Sequence, residues 1–288
     1  MSSLRLGTRT FESTDFAVMA IVNRTPDSFF DRGATFGFDA AVRRVDQVVA
    51  EGADIVDIGG VKAGQGPSVD ESEEIARTVD LVAEIRNRHP DLVISVDTYR
   101  SRVADALCAA GAQLVNDTWA GSDPDLAAVA ARWGAGLVCS HTGGQRPRTD
   151  PHRVRYADVV ADVIEGTTTL AERAVAAGVR SDGILIDPTH DFGKNTYHSL
   201  ELTRRLGELV DTGWPVLVSL SRKDFVGEAL GLPVDARLPG TLAATAVSAW
   251  HGARVFRAHD VAATRQVVDM VASIKGDRRP AAPQRGLA

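Results

Sequence analysis

Cysteine is scarce in this chain of 288 residues, which has two, Cys108 and Cys139, each inside an apolar run. So few cysteines exclude a disulfide-rich secreted scaffold and indicate small buried side chains in a reducing compartment. Basic residues are not in excess either, because 32 Lys and Arg stand against 38 Asp and Glu, for a formal net charge of −6. Binding to nucleic acid or to an anionic membrane needs clustered Lys and Arg, so neither partner is predicted.

Long apolar runs are also missing from the sequence. No stretch approaches the roughly 20 apolar residues that a membrane-spanning helix requires. The segment Met1–Thr14 is polar and lacks the apolar core of a signal peptide. We therefore expect a cytoplasmic protein.

What the sequence does contain is a repeated unit, in which a short run rich in Val and Ile is followed by a helical stretch. The apolar runs are Ala17–Val22, Asp54–Ile58, Leu92–Val96, Gln113–Val115, Gly136–Cys139, Gly183–Ile186, Pro215–Leu220 and Arg254–Arg257. Short runs without alternation are typical of strands buried on both faces of a parallel sheet. The helical stretches end at Gly or Pro, as at Gly52, Pro90 and Gly111, which are helix stop signals.

Eight such units predict an α/β fold of the (β/α)₈ TIM-barrel type, with residues 1–275 forming a single domain. A doubly wound open sheet is the alternative, and the lack of a glycine-rich dinucleotide turn disfavours it. The remaining residues, 276–288, are rich in Pro and Arg and are predicted to form a disordered tail.

Polar residues stand where the predicted strands end, which is the face of this fold that carries active sites. Asp97, Asn116 and Asp187 offer acceptors suited to a heterocycle with several adjacent N–H groups, such as an aminopyrimidinone. Lys223, Arg257 and His259 follow the last two strands, the usual phosphate corner of the fold. The residues alone thus predict a site for an N–H-rich ring at one side and an anion at the other.

Structural explanations for these polar residues remain open. Asp97 could cap a helix, and Arg257 and His259 could pair with Asp260 or Asp187. Asp57 is interpreted as structural and is left out of the predicted site. The four tryptophans, among them Trp119, are expected to serve packing.

The polar residues lie in sequence motifs that resemble those of dihydropteroate synthases. The motif from Asn23, N-R-T-P-D-S-F-F-D-R-G, is similar to N-x-T-P-D-S-F-x-D-x-G of that family. Further similarities are Ser95–Thr98 to S-V-D-T, Asn116–Asp117 to N-D, Asp187–Asn195 to D-P-G-F-G-F-G-K, Ser221–Lys223 to S-R-K and Arg257–Asp260 to R-V-H-D. The resemblance runs in order from about Phe16 to Ile274.

The resemblance implies an enzyme that joins 6-hydroxymethyl-7,8-dihydropterin pyrophosphate to 4-aminobenzoate and releases pyrophosphate. By the same resemblance, the pterin is held by Asp97, Asn116, Asp187 and Lys223. The pyrophosphate is held by Asn23, Arg257 and His259, with Mg²⁺ near Asn23. The catalytic residues it implies are Asp97, Lys223 and Arg257. A homodimer is also implied, and the helix Thr241–Trp250 is a candidate contact.

Two loops depart from the family pattern. Loop two, Gly59–Asp70, reads G-G-V-K-A-G-Q-G where the family has G-G-E-S-T-R-P-G, so Gly64 replaces an arginine and Lys62 comes two places early. Loop six, Pro188–Tyr197, has Thr189, His190 and Asp191 where the family has G-F-G. The Asp191 charge would repel a pyrophosphate if it faced the site. Ser140 replaces an apolar residue that packs on the pterin in many relatives.

These departures predict a diverged dihydropteroate synthase homologue with weak or absent synthase activity. The alternatives are a working synthase, a non-catalytic protein that binds a pterin or phosphate ligand, and a barrel enzyme acting on another phosphorylated heterocycle. A pterin-binding methyltransferase of a related barrel family is a further alternative, which the S-R-K and N-x-T-P-D-S-F motifs disfavour.

Overall fold

The computed structural model describes residues 3–25, 33–149 and 155–285. Within these ranges the strands are β1 (Leu4–Leu6), β2 (Arg9–Phe11), β3 (Ala17–Asn23), β4 (Ile55–Gly59), β5 (Val93–Asp97), β6 (Leu114–Asp117), β7 (Gly136–Ser140), β8 (Ile184–Asp187), β9 (Leu217–Ser219) and β10 (Val255–Ala258). The helices there are α1 (Phe38–Ala50), α2 (Glu71–Arg88), α3 (Ser101–Ala109), α4 (Leu126–Trp133), α5 (Val159–Ala176), α6 (Thr196–Arg204), α7 (Leu206–Val210), α8 (Asp224–Leu230), α9 (Leu238–His251) and α10 (Val261–Lys275).

Strands β3 to β10 form one parallel sheet in the order β8-β7-β6-β5-β4-β3-β10-β9. A parallel bridge between Ile186 and Val216 joins its two ends, so the sheet curls into a nearly closed barrel. Each of the eight predicted runs supplies one strand, and the TIM-barrel prediction is confirmed. Four of these strands end on the polar residue that directly follows the apolar run, namely Asn23, Asp97, Ser140 and Asp187, and β6 ends one residue later, at Asp117.

An antiparallel hairpin of β1 and β2, not predicted from the sequence, precedes the barrel. Its inward residues Leu4, Leu6 and Phe11 are buried against a layer of apolar side chains from the barrel strands, including Met19 and Leu114. These side chains lie near the amino ends of the strands, so the hairpin closes that end of the barrel. Strands of three residues are too short to give a periodic signal, which explains why the hairpin was missed.

A second and larger apolar cluster fills the space between the barrel and its helices. Helix α2 begins where Asp70 accepts from the Glu73 amide at 2.8 Å, and α4 ends at Gly134, whose φ of 64° is left-handed. Both cysteines are buried and unpaired, as expected. No helix within the described ranges is long and apolar enough to cross a membrane. The disorder proposed for residues 276–288 stays a prediction, and 286–288 lie outside the described residues.

Candidate active site

A cavity of about 400 Å³ opens at the carboxyl ends of the barrel strands. All seven residues of the predicted site line it: Asn23, Asp97, Asn116, Asp187, Lys223, Arg257 and His259. They come from six of the eight strand ends, and they meet because the carboxyl ends of parallel barrel strands share one face. Most of the first signature motif, residues 26–32, lies outside the described residues.

Asp57, which sequence reasoning set aside, lies fully buried beneath this cavity. Its carboxylate accepts hydrogen bonds from Ser95 Oγ at 2.6 Å, Asn116 Nδ2 at 3.0 Å and Arg257 Nε at 2.6 Å. The Asn116 amide gives one N–H to Asp57, which leaves its carbonyl oxygen to accept from a ligand and its second N–H to donate. Asp57 thereby orients two of the predicted site residues.

Arg257 joins Asp57 to Asp97. Its Nη2 donates to Asp97 Oδ2 at 2.9 Å, while Thr118 Oγ1 donates to Asp97 Oδ1 at 3.0 Å. Burial raises the pKa of Asp97 to about 7, against the opposing charge of Arg257. The helix-cap interpretation of Asp97 is wrong, since α3 begins at Ser101 without a side-chain cap. Arg257 does not pair with Asp260 either, because Asp260 binds Arg222 at 2.9 and 3.0 Å.

Loop six hydrogen-bonds to Asp187 and has a left-handed backbone conformation at three of its residues. The Thr189 amide donates to Asp187 Oδ1 at 2.6 Å, and Thr189 Oγ1 donates to the Asp187 carbonyl at 3.0 Å. The φ angles of Thr189, Asp191 and Gly193 are +50°, +71° and +64°. These are the three positions where the family pattern has glycine, so the chain keeps a left-handed backbone at all three. At two of them, Thr189 and Asp191, it does so with side chains that disfavour this conformation.

An aromatic wall flanks Lys223, whose Nζ lies 5.0 Å from the Phe192 ring centroid and donates to the His190 carbonyl at 2.5 Å. Trp119 meets the edge of Phe192 at 5.5 Å, and both aromatic side chains line the cavity. Trp119 packs against Phe192, in line with the prediction for the tryptophans, and it also lines the cavity. Burial lowers the pKa of Lys223, and the nearby carboxylates of Asp191 and Asp187 partly offset this effect.

Asp191 lines the cavity, but its carboxylate is already engaged. Ser199 Oγ donates to Oδ1 at 3.0 Å, and the Phe225 amide donates to Oδ2 at 3.2 Å. Burial raises the pKa of this carboxyl group, against the charge of Lys223. The Asp191 carboxylate thus accepts from a backbone amide at the start of α8 and is attracted by the charge of Lys223, at the loop-six side of the cavity.

His259 follows β10, the strand next to the one that Lys223 follows, and its Nδ1 is 3.0 Å from Ser221 Oγ. Burial, together with Arg257, Arg222 and Arg44, lowers the pKa of His259 to about 3, so the ring is neutral at physiological pH. A neutral imidazole can donate one hydrogen bond to an anion but brings no charge.

Loop two contributes Val61, Lys62, Ala63 and Gly64 to the cavity lining. No arginine from this loop reaches the cavity in the described residues, since Gly64 holds that position. Ser140 is buried, donates to the Asp117 carbonyl and is not among the lining residues, so it offers the ring no contact.

The Mg²⁺ prediction rests on Asn23, whose side chain lines the cavity at the end of β3. Among the described residues, no group of three or more His, Cys, Asp or Glu side chains could hold a metal ion. One amide oxygen fits an ion that keeps several waters and arrives with a substrate phosphate, which is the usual manner of Mg²⁺. The donor set therefore fits Mg²⁺ only as a companion of an anionic ligand.

Comparison with known proteins agrees with this geometry. A family profile described as "Pterin binding enzyme" matches residues 19–259. The chain is 60% identical to "Inactive dihydropteroate synthase 2" of Mycobacterium leprae over 94% of each chain. It is 36% identical to dihydropteroate synthase of Haemophilus influenzae, over 87% of this chain and 91% of the relative. A crystal structure of Yersinia pestis dihydropteroate synthase with a sulfonamide superposes with a TM-score of 0.90 at 33% identity, covering 96% and 100% of the two chains.

The fold is a (β/α)₈ barrel with a polar cavity at the carboxyl ends of its strands, and the chain belongs to the pterin-binding enzyme family. Within that family it is a diverged homologue of dihydropteroate synthase.

Proposed function

We propose that this protein binds a pterin-type heterocycle but has weak or absent dihydropteroate synthase activity. One observation carries the proposal: Gly64 replaces the loop-two arginine of the family, while Arg257 and Lys223 are engaged within the protein. The printed name of the Mycobacterium leprae relative, which calls that protein inactive, supports extending the same property to this chain.

The ring-binding half of the cavity supports retention of pterin binding. Asp97, Asn116 and Asp187 present acceptors on three nearby strand ends, and Lys223 lies beside them. Phe192 and Trp119 supply an apolar wall for a flat ring. This arrangement can accept hydrogen bonds from several adjacent N–H groups of a heterocyclic ligand. We therefore propose that Asp97, Asn116, Asp187 and Lys223 bind the pterin.

The anion half of the cavity is impaired. A charge-assisted hydrogen bond contributes about 1.5–3 kcal/mol, so losing the arginine costs roughly one to two powers of ten in pyrophosphate affinity. In the synthase reaction the leaving pyrophosphate gains charge, so the same contact also stabilises the transition state. Arg257 and His259 remain as the residues that would meet the leaving group, with Asp97 stabilising the positive ring.

The test compares binding with turnover. Calorimetric titration with the dihydropterin pyrophosphate and Mg²⁺ is expected to show weak binding, and a pyrophosphate-release assay with 4-aminobenzoate is expected to show little release. A Cβ at Gly64 would meet only Lys62 Cε, at the ordinary contact distance of 3.8 Å, so the backbone there accepts a side chain and Gly64→Arg is a practicable variant. We expect this variant to bind the pyrophosphate ligand about tenfold more tightly, whereas Gly64→Gln, the uncharged control, does not.

Two other functions give different results in this test. Steady pyrophosphate release by the unmodified protein would show a working synthase and refute the proposal. Tight pterin binding without release, even for Gly64→Arg, would favour a non-catalytic pterin-binding protein, since the restored charge would then not be what is missing.

The metal and assembly proposals belong to the same function. Mg²⁺ would be held by Asn23 and by the ligand's phosphate oxygens, and it would neutralise developing charge on those oxygens. A homodimer is supported by exposed apolar side chains on α6 and α9, including Leu200, Val247 and Trp250. A cytoplasmic location is supported by the two buried unpaired cysteines.

A further inference from the structure

The cations around the cavity differ in how they are engaged. Four line it, namely Lys62, Arg222, Lys223 and Arg257. Arg257 binds Asp57 and Asp97, while Arg222 binds Asp260. Lys223 donates to the His190 carbonyl. Lys62 makes no hydrogen bond or ion pair with any residue of the described ranges, so its charge is available to a ligand.

Lys62 also reaches the place of the missing arginine. Although it stands two positions earlier in the sequence, its Cε lies 3.8 Å from where a Cβ of residue 64 would be. Loop two follows β4, whose last residue Gly59 pairs with Asn23 at the end of β3. The Lys62 side chain therefore belongs to the same side of the barrel mouth as Asn23 and, on the next strand of the ring, Arg257.

The other side of the mouth is acidic. Asp191 and Asp224 line the cavity from loop six and the start of α8, beside Lys223. Asp224 is paired with Arg237 at 2.7 Å, and Asp191 accepts from Ser199 and the Phe225 amide, so the described residues of this side have no unpaired cation to offer an anion. The ammonium of Lys62 is unpaired within the described ranges and attracts one. The charge distribution thus directs an anion toward loop two.

We infer that Lys62 binds the anionic group of the ligand. This group is a single compact anion, such as a phosphomonoester or a carboxylate, rather than an extended pyrophosphate. A lysine ammonium is one point charge and lacks the fork with which arginine grips extended oxyanions. This inference rests on the proposed pterin-binding function and names the ligand class of that site.

The test measures dissociation constants for uncharged 6-hydroxymethylpterin and for its monophosphate ester. We expect the monophosphate to bind the unmodified protein about tenfold more tightly, because Lys62 is partly exposed and its attraction is screened. Lys62→Met should abolish this difference and leave affinity for the uncharged pterin within about twofold, since the ring contacts are untouched. Lys62→Arg should keep the difference, and added salt should reduce it in the unmodified protein.

Lys275→Met is the matched control, because it removes the same charge from the last turn of α10, away from the cavity lining. A tenfold preference for the monophosphate that survives in Lys62→Met would overturn the inference while leaving the pterin function intact, as would equal binding of both ligands to the unmodified protein. Absence of binding by both ligands would overturn the proposed function and this inference with it.

Discussion

Arg257 shows how one residue can line a site and yet be only partly available to a ligand. Its guanidinium lies between the carboxylates of Asp57 and Asp97, at 2.6 and 2.9 Å. An anion that approached Arg257 would compete with these internal partners. Removing one partner of such a buried pair is costly because it leaves the other uncompensated. The ion pairs therefore stabilise the site and at the same time reduce the positive potential at the anion half of the cavity.

The Asp97 carboxyl predicts a pH dependence for heterocycle binding. Its pKa is raised to about 7 by burial, and burial also raises the pKa of Asp187. As pH falls from about 8 to about 6, the Asp97 carboxylate gains a proton, and one of its oxygens becomes an O–H donor. It can then accept fewer hydrogen bonds from the N–H groups of the ring, so pterin affinity should fall. Calorimetric titration across this range should show the fall centred near pH 7.

Asp97→Asn separates this effect from other titrations, because Lys194 also has a pKa near 7, lowered by burial. The variant should bind pterin more weakly and without the transition near pH 7. A transition of unchanged size in Asp97→Asn would assign it to another group and contradict the prediction.

At the scale of elements, loop six depends on three left-handed residues. Lys194 fixes them, since its Nζ donates to the carbonyls of His141 and Phe192, both at 2.8 Å, and of Thr189 at 3.3 Å. A left-handed conformation costs an L-residue roughly 1–2 kcal/mol, and a β-branched one such as Thr189 is a marked outlier. Such strain persists only where the surroundings determine the conformation, and here the hydrogen bonds to Asp187 and Lys194 do so.

Gly193 and Gly134 allow this loop to be tested, because both have φ of +64° but different surroundings. A Cβ at Gly193 would lie 2.1 Å from the Thr142 carbonyl oxygen, whereas a Cβ at Gly134 meets nothing within 4 Å. Gly134→Ala should therefore cost about 1 kcal/mol of unfolding free energy, from conformation alone. Gly193→Ala should cost about 3 kcal/mol or more, since overpacking is added. Urea denaturation measures both, and equal losses would contradict the close approach of loop six to Thr142.

The limits of sequence reasoning are clearest in these elements. Asn116 and Asp187 were predictable because each polar residue directly follows an apolar run, and strand ends of a parallel barrel share one face. Asp57 was not, because it lies inside an apolar run and its partner Arg257 is 200 residues away in the chain. The left-handed conformation of Thr189 and Asp191 could not be read from residues that normally avoid it. The aromatic wall needed Trp119 and Phe192, which come from different loops, to meet.

At the scale of the whole molecule, the ring order of the strands separates the two halves of the cavity. Strands β5, β6 and β8 carry Asp97, Asn116 and Asp187, while β3 and β10 stand side by side and carry Asn23 and Arg257. The acceptors therefore lie on one arc of the barrel, and the side that we propose for the anion lies on another, adjacent to loop two. The departures in loop two change the second arc without disturbing the first, which is why ring binding and pyrophosphate chemistry can diverge separately in one barrel.

The outer surface carries the last prediction, on assembly. Helix α9 exposes 56% of Trp250 and 43% of Val247, and neighbouring α6 exposes Leu200 and Tyr197. Apolar side chains clustered on one face are typical of a protein contact, and the occupant that we propose here is a second copy of the chain. Trp250→Glu should therefore convert a dimer to the 30.6 kDa monomer in sedimentation analysis, because a charge in an apolar interface is desolvated without a partner.

Trp133→Glu supplies the control for this surface. Trp133 is similarly exposed, at 46%, but it lies on α4 and its Nε1 donates to Asp105 at 2.7 Å. Its replacement should leave the dimer intact, since α4 and α9 are not neighbours around the barrel. If the unmodified protein sediments as a monomer, or if both variants dissociate it equally, the α6 and α9 surface is not the dimer contact.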